Sequence, residues 1–415
     1  MNAAERIHSV DDARYFAKKR LPASIFQYFE GGSGPSVTST LNEQAFKEVL
    51  LKPLSGVHHP APDISTSVFG HDIDIPIILS SVGALKIGHQ DGELAVTQAA
   101  SKFGTIQFLS GVSNTSIEET MTHATGPVYQ QLYYIGGRDA TAPTIERARD
   151  AGAAGLVIIA DSAAPNTGRE IPITKRANLP LQINLKEAVK FLPQVWNKPA
   201  WMKDLIMRGG LEIPPVATAR SANGQAMPFL EAAGAIYGET PTFEDIPWIR
   251  EIWDAPIIVK GVVSVESARK AVEYGATGIV VSNHGGNMLD GTIPTLRALP
   301  EIIEAVGDDI DVVIDGGIRH GTDVVKAMAM GAKAVSVGRA YVYGLLAAGH
   351  EGVVRMLELL TTETASALTW LGKNSIHDID PESLVIPPHW MTLSLTDLRR
   401  EIRARNELSD LGLEG

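Results

Sequence analysis

Eight short runs of apolar, mostly β-branched residues recur along the chain, and each is apolar almost without interruption. The runs are IPIILSS from Ile75, TIQFLS from Thr105, PVYQQLY from Pro127, LVIIAD from Leu156, PIIVK from Pro256, GIVVSN from Gly278, DVVIDG from Asp311 and AVSVG from Ala334. Strands that are apolar on both faces are typical of a parallel sheet covered by helices. Eight such units close most simply into a (β/α)8 TIM barrel, so we predict an α/β fold. A doubly wound open sheet is the alternative, disfavoured because the turn after the first run lacks G-x-G-x-x-G.

Ala-rich segments with helical spacing lie between the runs, and each ends near a glycine suited to a helix C-terminus. They cover 92–103, 144–151, 264–274 and 322–330, and are followed by Gly104, Gly152, Gly275 and Gly331. We expect one domain over 1–415, with a helical prelude over 1–72 that includes helices at 10–19 and 25–29. The barrel then covers 73–350, and helices, including LRREIRARNEL, cover 351–415.

An insertion separates the fourth run from the fifth. Residues 165–240 are rich in Pro, Gly and Asn and have little periodicity. A long irregular loop of this kind is usually a lid, a binding loop or disordered. Trp196 and Trp201 lie within it, and we expect a lid that packs on the barrel, with a membrane or partner contact as the alternative.

Composition excludes several classes of function. The 415 residues carry 36 Lys and Arg against 48 Asp and Glu, a net charge of -12, so nucleic acid is not an expected partner. The absence of Cys excludes disulfides, thiolate metal sites and a thiol nucleophile. His58-His59 lies in a Pro-flanked loop without a nearby carboxylate pair, so we expect no metal site.

The charged N-terminus lacks a secretory signal and no apolar stretch is long enough to span a membrane, which predicts a cytoplasmic location.

Polar side chains that are unusual in buried strands end or follow the eight runs. They are Ser80, Ser81, Ser110, Gln131, Tyr133, Asp161, Lys260, Ser282, Asn283, His284, Asp315, Arg319 and Arg339. In a (β/α)8 barrel the C-terminal ends of the strands converge on one mouth, where catalytic groups gather. Each residue alone is more often structural or solvated, but their common placement predicts one polar site at that mouth.

Four of these residues have chemistry suited to catalysis. His284 is a candidate base near neutral pH, with Asp161 as an orienting carboxylate and Tyr133 as a hydroxyl donor. Lys260 ends an apolar strand, where an uncompensated ammonium is costly, so we expect it to face a negative partner.

The turns after the last two runs resemble a phosphate site. Backbone N–H groups of Gly316, Gly317 and Gly338, with Arg319 and Arg339, would surround a dianion, as in barrels that bind phosphate after strands seven and eight. Arginine supplies forked donors for phosphate oxygens. The alternative is that the glycines only permit tight turns and the arginines are solvated.

Three motifs in this order resemble the FMN-dependent α-hydroxy-acid oxidases and dehydrogenases, a family that includes glycolate oxidase, lactate oxidase and mandelate dehydrogenase. The motifs are IIVKG at Lys260, VSNHGG from Val281 and DGGIRHGTDVVKAMAMGA from Asp315, and the resemblance extends from LPASIFQYF to SIHDI. It implies that His284 removes a proton during substrate oxidation, that Asp161 holds it, and that Lys260 stabilises the anionic reduced flavin. It also implies substrate contacts from Tyr28 and Tyr133. The implied FMN contacts are Ser81, Gly83, Ser110, Gln131, Lys260, Ser282, Asp315, Gly317, Arg319, Gly338 and Arg339.

The chain departs from this family where a substrate carboxylate would bind. The family's usual Arg after His-Gly-Gly is Asn287 here, and a neutral amide replaces neither the charge nor the fork of a guanidinium. Arg169 is a candidate for the family's second carboxylate-binding Arg. Val112 stands where glycolate oxidase has a bulky aromatic and should widen the pocket.

The segments SNHGGNMLDGT and LGKNSIHDIDPESLVIPP resemble in particular the pre-mycofactocin synthase branch of the family. Members of that branch oxidise an amine carbon beside a lactam carbonyl to an α-keto amide. The resemblance therefore implies an FMN oxidoreductase that acts on an α-hydroxy or α-amino carbon of a substrate without a free carboxylate, with oxygen or another redox carrier as acceptor. The alternatives are a conventional 2-hydroxy-acid oxidase or dehydrogenase and a redox-neutral flavin isomerase. A homo-oligomer is expected by resemblance.

Overall fold

All eight apolar runs form strands of one closed parallel barrel in the computed structural model. The structure describes residues 3–57, 61–164, 193–207, 214–220, 225–236 and 239–391. The barrel strands are β1 (Ile77–Leu79), β2 (Gln107–Leu109), β3 (Val128–Leu132), β4 (Gly155–Ile159), β5 (Ile257–Val262), β6 (Gly278–Val281), β7 (Asp311–Asp315) and β8 (Ala334–Val337). Closure is direct, because β1 pairs with β8 on one side and with β2 on the other. The predicted TIM barrel is confirmed, and the open-sheet alternative is wrong.

Helices surround the barrel and follow most of its strands. They are α1 (Val10–Arg20), α2 (Ala23–Glu30), α3 (Val37–Glu48), α4 (Gly92–Lys102), α5 (Ile117–His123), α6 (Arg138–Asp150), α7 (Pro199–Met207), α8 (Phe229–Ala235), α9 (Ile246–Ile252), α10 (Val265–Glu273), α11 (Thr295–Val306), α12 (Gly321–Ala329) and α13 (Arg339–Trp370). Helix α6 begins earlier than the sequence pattern indicated, because the chain breaks at Gly136 and Gly137, both at positive φ, and not at Pro143. No described helix has both the length and the apolarity that a bilayer span requires.

A hairpin of Thr66–Val68 and His71–Ile73 closes the N-terminal end of the barrel. Phe69 at its tip is buried, with its ring 6.5 Å from that of Phe108 and 6.0 Å from that of Tyr129. The segment before the barrel is therefore helical only in its first part. Because this end is plugged by apolar side chains, the opposite end is left for a polar site.

The last helix crosses the expected boundary at residue 350. Helix α13 runs from Arg339 to Trp370 with a break at Ala348 and Gly349, and it packs against α1. A two-stranded sheet of Leu50–Leu51 and Leu384–Val385 then joins the C-terminal region to the prelude. The predicted helix LRREIRARNEL lies outside the described residues, as does His58-His59.

The described parts of the insertion pack on the barrel. Trp201 is buried and its Nε1 donates to the Ile87 carbonyl at 3.2 Å, whereas Trp196 is 82% exposed. Strand Val216–Arg220 lies over the loop after β2, where Thr218 Oγ1 donates to the Gly111 carbonyl at 2.8 Å. The insertion thus reaches the loop that carries Ser110.

Candidate active site

A cavity of about 270 Å³ opens at the C-terminal ends of the strands. Of the residues that the sequence indicated, those lining it are Tyr28, Ser80, Ser81, Gly83, Ser110, Val112, Gln131, Tyr133, Lys260, His284, Asn287, Asp315, Gly316, Gly317, Arg319, Gly338 and Arg339. Asp161 and Ser282 lie behind the lining and contact His284 and Lys260, respectively. Arg169 lies outside the described residues. The structure therefore brings together side chains that are scattered over most of the sequence.

The turn after β6 holds His284 in a strained backbone conformation. His284, Gly285 and Gly286 have φ of 56°, 60° and 79°, the left-handed region that a non-glycine residue seldom adopts. Ser33 fixes this turn, since its N–H donates to the Gly286 carbonyl at 2.7 Å and its hydroxyl donates to the Asn287 carbonyl at 2.7 Å. We call residues 284–287 the base turn. Local strain of this kind persists only where the surroundings over-determine it.

The imidazole of His284 lies between a carboxylate and a phenol. Its Nδ1 is 3.0 Å from Asp161 Oδ1, and its Nε2 is 3.4 Å from the Tyr133 hydroxyl. Burial opposes the charge of Asp161, but the His284 ring and Lys260 bring its pKa below the ordinary value. An ionised Asp161 accepts a hydrogen bond from Nδ1–H, which leaves the Nε2 lone pair facing the cavity.

Asp161 can approach the base only because the next strand has a glycine beside it. A Cβ at Gly261, which has φ of 104°, would stand 2.6 Å from Asp161 Cγ. Any larger residue at this position would displace the carboxylate.

Lys260 is buried in β5 and has the negative partner that its position required. Its Nζ lies 2.9 Å from Asp315 Oδ2 and donates to Ser282 Oγ at 2.8 Å. Ser282 Oγ in turn accepts the backbone N–H of His284 at 3.1 Å. The ammonium is therefore held in place at the floor of the cavity, next to the base turn.

The two arginines after β7 and β8 lie at one end of the cavity. Arg319 donates to Glu43 Oε1 and to the Ile318 carbonyl, each at 2.8 Å. Arg339 donates to the carbonyls of Gly285 and Gly31 at 2.8 and 2.9 Å. The positive charge of Arg319 is among the causes, after burial, that lower the pKa of Arg339, so the two cations are close enough to repel. An anion between them would relieve that repulsion.

The cavity lining around the base, Tyr133 and Asn287 is otherwise mostly apolar. Tyr28, Val112, Ile236 and Met288 contribute to it, and Ile236 comes from the insertion. The Asn287 amide donates from Nδ2 to the His284 carbonyl at 3.0 Å, so it braces the base turn that it follows.

Several residues of the site were not indicated by the sequence. Ser336 lines the cavity from inside β8, Glu43 binds Arg319, and Asn42 exchanges two side-chain hydrogen bonds with Asn283. A polar residue in the apolar AVSVG run was a signal for Ser336. Glu43 and Asn42 lie in helix α3, far away in sequence, and no local pattern marked them.

Buried polar atoms without partners test whether a flavin suits this cavity. Gln131 Oε1, Asp315 Oδ1, Ser336 Oγ and Arg339 Nε line it and find no hydrogen-bond partner among the described residues. A buried polar atom left unpaired is costly, so such a set indicates a missing polar ligand. Two acceptors and a hydroxyl in the cavity lining suit a polar heterocycle, and a guanidinium N–H beside a second arginine suits a phosphate. The residues present therefore fit FMN.

Several known proteins have sequences or structures similar to this chain. The chain is 42% identical over 392 residues to the pre-mycofactocin synthase of Mycolicibacterium smegmatis, covering 93% of this chain and 96% of that protein. It is 36% identical to an L-lactate dehydrogenase of Haemophilus influenzae, covering 91% and 98%. A crystal structure of (S)-mandelate dehydrogenase, described as a monotopic membrane protein, superposes with a TM-score of 0.84 at 30% identity and covers 92% of this chain and 100% of that one.

The family model described as FMN-dependent dehydrogenase matches residues 17–386, which include all the barrel strands and the whole cavity. The chain belongs to this family of FMN-dependent oxidoreductases.

Proposed function

We propose that this FMN-dependent enzyme oxidises an α-amino or α-hydroxy carbon beside a neutral amide carbonyl. The observation that carries the proposal is the lack of an available cation on the substrate side of the cavity, within the described residues. The Lys and Arg that line the described cavity are Lys260, which pairs with Asp315 at the floor, and Arg319 and Arg339, which lie at the proposed phosphate end. Among the described residues, a substrate carboxylate beside Asn287 would find no counter-ion, and burial of an unpaired charge is unfavourable.

His284 performs the proton transfer in this proposal. Nε2 accepts the proton that leaves the substrate, and Asp161 stabilises the resulting imidazolium through Nδ1–H. The Tyr133 hydroxyl, close to Nε2, is positioned to donate to the substrate oxygen or nitrogen. FMN, when bound, accepts the hydride equivalent from the substrate carbon.

We propose that the other predicted FMN-site residues surround the flavin ring, position Lys260 or bind the phosphate. Lys260 supplies positive charge at the floor, and Ser81, Gly83, Ser110 and Gln131 contribute the polar wall. Ser282 and Asp315 hold the ammonium in position. Gly317, Arg319, Gly338 and Arg339 form the phosphate end.

The relative at 42% identity supports an amine substrate. It is named a pre-mycofactocin synthase, and the resemblance of this chain to that branch implies oxidation of an amine carbon next to a lactam carbonyl. We propose the same class of reaction here: two electrons pass from the C–N unit to the flavin, the resulting imine is hydrolysed by water, and ammonia leaves to give an α-keto amide. Oxygen or another redox carrier then reoxidises the flavin, and a homo-oligomer is proposed as the assembled form.

A conventional 2-hydroxy-acid dehydrogenase is the second candidate, because the L-lactate dehydrogenase relative covers almost the same length of chain at 36% identity. In that case Arg169 would supply the carboxylate contact.

One pair of probes separates the two candidates. Mandelate and mandelamide differ only in the carboxylate and the amide, so the anaerobic bleaching of the flavin by each reports recognition at this position. We expect mandelamide to reduce the flavin faster than mandelate. A faster reaction with mandelate, or with lactate or glycolate, would refute the neutral-substrate proposal.

A further inference from the structure

Arg339 makes contacts that a phosphate ligand alone would not require. Its two terminal nitrogens donate to the carbonyls of Gly285 at 2.8 Å and Gly31 at 2.9 Å. Its Nε is buried and finds no partner among the described residues, although the side chain lines the cavity. The guanidinium thus has two donors bound to protein and a third directed to no described protein group. A planar fork with several fixed donors can engage both partners at once.

Both carbonyls belong to the support of the catalytic base. Gly285 follows His284 directly, in the left-handed part of the base turn. Gly31 begins the segment whose Ser33 donates to the Gly286 and Asn287 carbonyls. The Arg339 guanidinium therefore connects the base turn itself to the segment after Gly31 that supports it. A Cβ on Gly285 would come within 2.8 Å of Arg339 Nη1, so this packing is close.

Arg319 provides the contrast within the same cavity end. Its side chain donates to Glu43 and to the Ile318 carbonyl, and within the described part of the chain it makes no hydrogen bond to the base turn. Both arginines carry the same charge and face the same cavity. They differ in what else they hold, which makes Arg319 a matched control.

We propose that Arg339 is a positioning residue that couples binding of the FMN phosphate to the conformation of the base turn. This inference rests on the proposed phosphate end of the cavity. The phosphate accepts from Nε and fixes the guanidinium plane, and the fixed plane holds the Gly285 and Gly31 carbonyls. A flavin with its phosphate therefore orders the turn that carries His284, and riboflavin, which lacks the phosphate, does not.

Hydrogen exchange of the backbone amides tests this coupling without any substrate. Flavin is removed reversibly, and exchange of the peptide containing residues 283–288 is compared for the protein alone, saturated with riboflavin and saturated with FMN. The N–H groups of Gly286 and Asn287 close the base turn by donating to the Asn283 and His284 carbonyls, so they report its opening. We expect FMN to slow their exchange about tenfold more than riboflavin does, within the usual range for coupled sites.

Two substitutions then locate the coupling. Arg339→Lys retains the charge but cannot bridge two carbonyls and a phosphate, so FMN at saturation should protect the turn no better than riboflavin. Arg319→Lys should weaken FMN binding yet keep the full protection at saturation. Flavin fluorescence titrations give the FMN and riboflavin affinities of each variant, and circular dichroism establishes that each is folded.

The outcomes separate the coupling from the phosphate assignment. If riboflavin protects the wild-type turn as well as FMN does, or if Arg339→Lys keeps the FMN-specific protection, the coupling is wrong. The wild-type comparison alone suffices if the variant does not fold. If neither substitution changes the ratio of FMN to riboflavin affinity, the proposed phosphate end itself is wrong.

Discussion

Replacement of Asp161 by Asn tests the base assignment with little change of shape. The carboxylate lies 3.0 Å from His284 Nδ1, and the side chains are only 15% and 19% exposed. Charge centres about 4 Å apart at an effective dielectric constant of about 20 interact by roughly 4 kcal/mol. In the wild-type protein this interaction stabilises the imidazolium that forms during the reaction, and Asp161→Asn removes the interaction. At about 1.4 kcal/mol per decade, flavin reduction should slow by about 10³-fold.

Anaerobic stopped-flow spectroscopy with mandelamide measures the rate constant of flavin reduction directly. Asp161 does not line the cavity, so the variant should retain its FMN content and flavin spectrum. Asp72→Asn is the matched control, because Asp72 is exposed on the hairpin at the opposite end of the barrel. If Asp161→Asn reduces its flavin within about threefold of the wild-type rate, far from the slowing that loss of this charge interaction requires, then His284 is not the base that Asp161 supports.

Three further changes test other parts of the structure. Gly261→Ala should push the Asp161 carboxylate away from the base and slow flavin reduction by about 10²-fold with FMN retained, because small displacements of catalytic groups are costly; unchanged kinetics would contradict this packing. Burial opposes the charge of Glu118, but its paired bonds to Arg147 lower its pKa to about 2. The stability from this pair is thus present above the ordinary pKa of Glu and is lost as pH falls toward 2, so Glu118→Gln should cost about 0.5 to 1 kcal/mol at pH 7 in urea unfolding and less at low pH. Trp201→Ala should cost about 3 kcal/mol of local stability and increase proteolysis of the insertion, whereas unaltered proteolysis would show that Trp201 does not anchor it.

The barrel was predictable because its signal is local. A strand buried on both faces must be apolar throughout, so each strand can be recognised from a few consecutive residues. The helix ends were also predictable from a local signal, a glycine. Gly104, Gly152, Gly275 and Gly331 all have positive φ at helix ends. The hairpin that plugs the barrel was missed because it is too short for periodicity to register.

Part of the candidate site was predictable from the sequence and part was not. Residues at strand ends could be grouped in advance, because parallel strands bring their C-terminal ends together. The pairing of Asn42 with Asn283 and of Glu43 with Arg319 depends on how helix α3 packs over the mouth, which only the tertiary structure specifies. The bond from Asn287 to the His284 carbonyl was missed for a similar reason: its effect is on the backbone of a strained turn, whereas its residue type suggested only a substrate contact.

The products of a single turnover test the neutral-substrate account most directly. The holoenzyme is mixed anaerobically with α-amino-γ-butyrolactam, an amine next to a lactam carbonyl, and ammonia and keto product are measured against the flavin that is reduced. We predict one ammonia and one α-keto amide per flavin, with His284→Ala abolishing both. A flavin that this amine and mandelamide leave oxidised while lactate bleaches it would contradict the account.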